Sequence, residues 1–213
     1  EIAVREAMRC MNCGNGASVS SEACIACLTC VRVCPFEIPK IKEDENFAYI
    51  DNDCQSCGMC VVECPAKAIE FKGPYEDMGK AQLQEAFKEA KTSEPLIINF
   101  YCSYNLDLVL SKEKLPKNIR QVNLLSLGKL SPGLILDAFE KGADGVLITS
   151  CDDSCHFGDS CNTWAEQRAE TAMDFLASIG IEKERVKYHT LPDQEGNSFL
   201  QTANQLLEEI NNL

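Results

Sequence analysis

Apolar and polar positions follow two regimes along this chain. From Glu94 onward, short apolar runs alternate with amphipathic stretches. Residues 96–101, 121–125, 146–149 and 186–190 are mostly apolar and read as strands buried on both faces. Between them the period becomes helical. Ser131 stands as an N-cap with Pro132 at the first helical position, Leu134, Ile135, Ala138 and Phe139 form one stripe, and Gly142 stops the helix. Asn162 is expected to cap a second helix carrying Ala165, Ala169, Ala172 and Leu176, with Gly180 as its stop. Ser198 opens a last helix with Phe199, Leu200, Ala203, Leu207 and Ile210 inward. Repeated strand–helix units imply an open, mostly parallel sheet covered on both faces. Residues 95–213 are therefore expected to form an α/β domain.

Before Glu94 the elements are small. Residues 38–50 read as two short strands around the polar Glu43-Asp44-Glu45-Asn46 turn, with Pro39 at a strand end or edge. Residues 69–71 supply a further strand. Gly73-Pro74 breaks the pattern, and a polar amphipathic helix follows over about residues 78–91, expected to act as a linker spanning 76–94. The stretch from Gly14 to Ser21 reads as a loop within an N-terminal segment of residues 1–22. What remains, residues 23–75, is expected to be a small α+β domain with few large apolar side chains.

Cysteine chemistry explains how so small a domain could hold together. The chain has 14 cysteines in 213 residues, far more than an ordinary protein of a reducing compartment carries unless they bind metal. Cys24, Cys27, Cys30 and Cys34 precede Pro35, and Cys54, Cys57, Cys60 and Cys64 precede Pro65. Both runs read Cys-x2-Cys-x2-Cys-x3-Cys-Pro and lie 30 residues apart. This is the ligand spacing of a bacterial-type ferredoxin with two 4Fe–4S clusters, in which the fourth cysteine of each run ligates the other cluster. The expected sets are Cys24, Cys27, Cys30 with Cys64, and Cys54, Cys57, Cys60 with Cys34. Disulfides need an oxidising compartment. No signal peptide is visible, so a cytoplasmic setting is expected. Zinc sites take two Cys-x2-Cys pairs across a longer loop, a different spacing.

The net charge of −13 argues against nucleic acid, whose phosphates need a basic surface, and against an anionic membrane face. No apolar stretch is long enough to span a bilayer. No dinucleotide fingerprint, phosphate loop or nucleophile motif is present, so an electron carrier is expected rather than a catalyst of bond chemistry, with no catalytic residue. The chain starts at Glu1 without methionine, which is expected of a processed protein or of the C-terminal part of something longer.

A second cysteine group lies in the α/β half. Cys102 follows the first strand, Cys151 follows the third, and Cys155 and Cys161 are expected in the next loop with His156 beside Cys155. Ligands of an open parallel sheet gather outside the carboxyl ends of its strands. A metal site is therefore expected here, the alternative being that these cysteines are small buried hydrophobes. His156 reads as a hydrogen-bonding neighbour rather than a ligand.

The string Asn99-Phe100-Tyr101-Cys102-Ser103-Tyr104 resembles the aromatic-Cys-Ser-Tyr opening of the delta subunit of methyl-viologen-reducing hydrogenase. The likeness continues through Ser131-Pro132 with Leu136-Asp137-Ala138-Phe139, Gly142-Ala143-Asp144-Gly145-Val146-Leu147 and Cys155-His156-Phe157. Asn162, Ala165 and Arg168, and then Glu195-Gly196 with Phe199, complete it over residues 95–213. The resemblance implies a 2Fe–2S cluster in this domain. It also implies relay of electrons between a hydrogenase or formate dehydrogenase and the flavoprotein of a heterodisulfide-reductase complex. The chain departs from that family at Asn99 and Ser126, where the family usually has cysteine, and at Cys161, where it usually has glycine. Three residues separate Cys151 from Cys155, where the family usually has four. Four cysteines remain, Cys102, Cys151, Cys155 and Cys161, enough for either cluster type.

The string Glu6-Ala7-Met8-Arg9-Cys10-x2-Cys13-Gly14 resembles the join between a pyridine-nucleotide flavoprotein and its iron–sulfur segment, as in relatives of the flavoprotein of heterodisulfide reductase. It implies a flavin (FAD) on a partner or upstream segment, and a metal site that Cys10 and Cys13 share with a partner. The expected function is iron–sulfur electron transfer within an oxidoreductase complex. The rivals are a free ferredoxin-like carrier with an inert α/β docking domain, an FMN-binding domain at a topological switch point, and a zinc-stabilised interaction module.

Overall fold

The computed structural model describes residues 16–41, 44–72, 78–88, 95–103, 106, 115–152, 157–191 and 197–213. It divides into two compact units, Glu1–Met78 and Gly79–Leu213.

The first unit is a pair of small sheets joined to two short helices. Strand β1 (Ala17–Val19) pairs antiparallel with β4 (Ile69–Phe71), and β2 (Lys40–Ile41) with β3 (Ala48–Tyr49). Helices α1 (Thr29–Val33) and α2 (Met59–Glu63) lie 30 residues apart in sequence and pack on each other. The strand expected at residues 69–71 is present, but its partner is β1, inside the stretch read as a loop. Ala17 is buried opposite Phe71, and that burial, with ladder bonding, overrides the loop-like composition around it.

The repeat extends to the backbone. Left-handed residues recur in pairs across the repeat: Ala26 and Ser56 (φ 52° and 55°), Leu28 and Gly58 (64° and 86°), Glu37 and Lys67 (55° and 51°). Five of these six are not glycine. A side chain in this region is strained, and such residues persist only where their surroundings over-determine them. In each repeat two of these residues lie inside the cysteine run and the third just after it, so the strain belongs to the loops that present the thiols.

The second unit is a parallel four-stranded sheet with order β6-β5-β7-β8. Its strands are β5 (Ile97–Cys102), β6 (Ile119–Leu124), β7 (Gly145–Cys151) and β8 (Val186–Leu191). Every described residue of β5 and β7 is buried, as expected for strands covered on both faces. Helix α4 (Pro132–Glu140) begins with Ser131 Oγ accepting from Leu134 N at 3.1 Å. It packs against α5 (Gly158–Ser178), which also packs on β7 and β8. Helix α6 (Asn197–Asn211) closes the chain against β7 and β8. Successive residues of β8 show that α5 and α6 take opposite faces. Tyr188 reaches a backbone carbonyl of α5, at Asn162, and His189 meets Thr202 of α6. The fit of α6 is close: a Cβ on Gly145 would stand 2.5 Å from Ile210 Cδ1.

Helix α3 (Met78–Lys88), expected as a linker, belongs to this unit from its second residue on. Gln82 Oε1 accepts from Asn123 N at 2.8 Å, and Gln82 Nε2 donates to Asn123 Oδ1. Strand β6 is the sheet's edge, so Gln82 satisfies a main-chain N–H that an edge leaves open. Leu83 is fully buried beside it. Residues 89–94 lie outside the described residues. Among the described residues no helix is long and apolar enough to cross a membrane.

Candidate metal centres

The first unit holds a cavity lined by four thiols from both cysteine runs: Cys24, Cys27, Cys30 and Cys64. The rest of its wall is mostly apolar, with Ile25, Leu28, Ala48, Ala66, Ala68 and Ile69. Cys24 and Cys27 come from the loop entering α1, Cys30 from the first turn of that helix, and Cys64 from the end of α2. Backbone amides approach two sulfurs: Ala48 N donates to Cys24 Sγ at 3.5 Å, and Ala68 N to Cys64 Sγ at 3.3 Å. Cys27 Sγ lies 3.3 Å from Thr29 Oγ1, and this hydroxyl draws the thiol below its ordinary range. Burial pushes the Cys30 thiol up, and the neighbouring Cys24 and Cys27 add to that by like-charge repulsion.

The second group is enclosed as the first is, where Cys30 and Cys64 are also 7% exposed. Cys57 and Cys60 are each 7% exposed, and Met59 between them is fully buried. Burial pushes the Cys60 thiol far up, with Cys57, Cys54, Cys34 and Cys30 adding repulsion in that order. Cys34, from the first run, thus acts on the same thiol as Cys54 and Cys57. Four thiols gathered so, two of them buried, cannot all ionise without a cation among them. Among the described residues no three His, Cys, Asp or Glu side chains are grouped to hold a single metal ion.

In the second unit Cys102 ends β5 and Cys151 ends β7, and these neighbouring strands meet where the sheet reverses its order. Cys161 is not in a loop. It lies in the first turn of α5, which begins four residues before the expected cap, Asn162. Asn162 instead donates through Nδ2 to the Cys151 carbonyl at 2.8 Å, binding the strand end to the helix. Cys102, Cys151 and Cys161 are all buried, at 0, 3 and 1% exposure. Cys161 Sγ lies 3.6 Å from Ser126 Oγ, just beyond β6, and Ser126 Oγ also accepts from Gly128 N at 2.9 Å. Arg168, further along α5, donates through Nη1 to the carbonyls of Gly128 and Leu130 at 2.9 and 3.0 Å. The loop bearing Ser126 is thereby held to the helix bearing Cys161.

Register divides the cysteines. Tyr101 pairs with Thr149, so Cys102 stands level with Ser150, on the α5 side of the pleat, while alternation turns Cys151 to the other side. A cluster shared by both must sit at the rim, above the strand ends. Asn99, at a position where the resemblance expects cysteine, is fully buried, accepts from Thr149 Oγ1 at 2.8 Å and leaves Nδ2 without a partner among the described residues. Tyr188 is pushed up to about 12, first by burial, with the Cys161 and Cys151 thiols adding to the shift. Cys10, Cys13, Cys155 and His156 lie outside the described residues.

Pattern reading alone misses Thr29, Ser56 and Tyr188. Cysteine spacing marks ligands but carries no sign of which hydroxyls approach them. Arg168 does stand in the helix string, where only its burial reveals the clamp.

Comparison with known proteins agrees with both halves. Residues 23–69 match the 4Fe–4S dicluster domain, and residues 96–213 match the methyl-viologen-reducing hydrogenase, delta subunit. The chain is 32% identical over 127 residues to the vhc iron-sulfur subunit of the F420-non-reducing hydrogenase of Methanococcus voltae, covering 57% of this chain and 88% of that protein. It is 33% identical over 136 residues to one subunit of the ferredoxin/F(420)H(2)-dependent CoB-CoM heterodisulfide reductase of Methanosarcina acetivorans. That match covers 61% of this chain but 17% of the relative. A similar protein from Methanocaldococcus jannaschii, the vhu iron-sulfur subunit of its F420-non-reducing hydrogenase, is 29% identical over 125 residues, which is 56% of this chain and 93% of its own length. With its paired cysteine runs, its rim of thiols and a match over more than half its length, the chain belongs to the family of the delta subunit of methyl-viologen-reducing hydrogenase, carrying a 4Fe–4S dicluster domain ahead of it.

Proposed function

We propose that this chain is an iron–sulfur electron-transfer subunit, or the corresponding portion of a longer protein, in an oxidoreductase complex of the hydrogenase and heterodisulfide-reductase type. Cys24, Cys27, Cys30 and Cys64 hold one 4Fe–4S cluster, and Cys54, Cys57, Cys60 and Cys34 hold the other. Cys102, Cys151, Cys155 and Cys161 hold a further cluster of 2Fe–2S type at the rim of the sheet. Electrons pass between these sites, a hydrogenase or formate dehydrogenase-type partner, and a flavoprotein bearing FAD, with Cys10 and Cys13 serving a site shared with that segment.

One observation carries this reading: a single cavity is lined by three thiols of one run and the last thiol of the other. The clusters supply the redox chemistry; this chain's residues set their surroundings. The apolar wall of Ile25, Leu28 and Ile69 limits water, and the Ala48 and Ala68 amides donate toward sulfur, which favours the reduced state.

The test is anaerobic reconstitution of the full chain with iron and sulfide, followed by metal analysis and EPR of the reduced protein. The expected result is about eight irons in two 4Fe–4S clusters, with a further pair in a 2Fe–2S cluster. Zinc in place of iron, or no reducible signal, refutes it. A second reading draws on the order β6-β5-β7-β8, which is flavodoxin-like and has its switch point between β5 and β7. If that crevice holds FMN, the purified chain carries flavin absorbance and the C-terminal iron is missing.

A further inference from the structure

Ser56 stands between Cys54 and Cys57, inside the second cysteine run. It is 5% exposed, and its Oγ has no hydrogen-bond partner among the described residues. A buried hydroxyl left unpaired is costly, and native structures seldom keep one without a reason.

The repeat provides an internal control. Ser56 at φ 55° corresponds to Ala26 at φ 52°, so both loops adopt the same left-handed turn. Alanine suffices for that turn in the first loop, so the backbone does not require serine in the second. The first loop has its own hydroxyl elsewhere: Thr29, 3.3 Å from Cys27 Sγ. The residue corresponding to Thr29 is Met59, fully buried and without a donor. Each loop therefore carries one hydroxyl near its cysteines, at positions the repeat does not equate.

We propose that Ser56 tunes the second centre, its hydroxyl donating a hydrogen bond to sulfur of the cluster held by Cys54, Cys57, Cys60 and Cys34. The proposal rests on the two-cluster reading above. A donor to cluster sulfur stabilises the reduced, more negative state and raises the potential. Burial acts the other way, since a low-dielectric wall disfavours added negative charge. Cys57 and Cys60 are buried, so Ser56 offsets part of that burial, as Thr29 does for the first centre.

The experiment compares Ser56→Ala and Thr29→Val in the anaerobically reconstituted full chain. Iron and sulfide are counted first, and both 4Fe–4S midpoint potentials are then measured by EPR-monitored redox titration. The expected result is unchanged iron in both variants, with Ser56→Ala lowering one potential and Thr29→Val lowering the other. Two unmoved potentials in a fully loaded Ser56→Ala protein overturn the proposal, as do variants that both shift the same couple. Unaltered protein that binds fewer than about eight irons overturns the two-cluster reading itself, and the role of Ser56 with it.

Discussion

Ser126 Oγ lies 3.6 Å from Cys161 Sγ, at two positions where the family resemblance leads one to expect the opposite pattern of thiols. Cysteine is expected at 126 and glycine at 161. A thiol absent from the loop after β6 is thus regained beside it on α5. The expected outcome is that Cys161→Gly removes the C-terminal cluster, while the double exchange Ser126→Cys, Cys161→Gly restores it. EPR and iron content of the full chain decide this. An unchanged C-terminal signal in Cys161→Gly alone rules out Cys161 as a ligand.

The crossing of ligands between the runs gives a sharper test than iron content. Cys64→Ala is expected to damage the cluster built on Cys24, Cys27 and Cys30, and Cys34→Ala the one built on Cys54, Cys57 and Cys60. The two couples are separated by redox titration, with Thr29→Val identifying the first. Selective loss of the cluster on the same run as the substituted cysteine refutes the crossing.

Removing iron is expected to unfold the first unit before the second. Its sheets have only two strands each, and several buried side chains are the thiols themselves. Ligation then supplies much of its folding free energy. Hydrogen exchange after chelation should show loss of protection in β1–β4 with β5–β8 retained. Equal protection in both units before and after chelation contradicts this.

Arg168→Met is expected to destabilise the second unit by about 3 kcal/mol, since two charge-assisted bonds to carbonyls are lost and the carbonyls stay buried. Arg168 is 4% exposed, so water cannot replace it without opening the helix contact. Urea denaturation followed by circular dichroism measures the effect. A change below about 0.5 kcal/mol, the usual range for surface substitutions, removes the clamp from the account.

His189 adds a pH dependence. Burial lowers its folded-state pKa below the ordinary 6.5, so the unfolded chain binds the proton more readily. The neutral ring's contribution is therefore complete above pH 6.5 and is lost as pH falls through the lowered value. Thr202, which meets the ring from α6, is uncharged and does not reverse the sign. Midpoint denaturation measured from pH 8 to pH 5 should decline at the acid end, and His189→Gln should flatten part of that decline.

Much of this was legible in the chain. The four apolar runs become the four strands of the parallel sheet, because strands buried on both faces leave a continuous signature. The paired cysteine runs point to clusters by spacing alone. Other features depend on contacts distant in sequence. Strand β1 is three residues long and exists through its pairing with β4, some fifty positions away. The start of α5 is misjudged because Asn162 has the composition of a cap but serves the Cys151 carbonyl. Helix α3 reads as a linker because its one fully buried residue, Leu83, is lost among polar neighbours.

The guanidinium of Arg168 grips the loop that carries Ser126, and the helix bearing Arg168 begins with Cys161 in its first turn. Loop and helix therefore travel together as one solid piece. A redox site suspended between them would change its electron count without its walls having to rearrange, and the cost of reorganisation at each transfer would stay small.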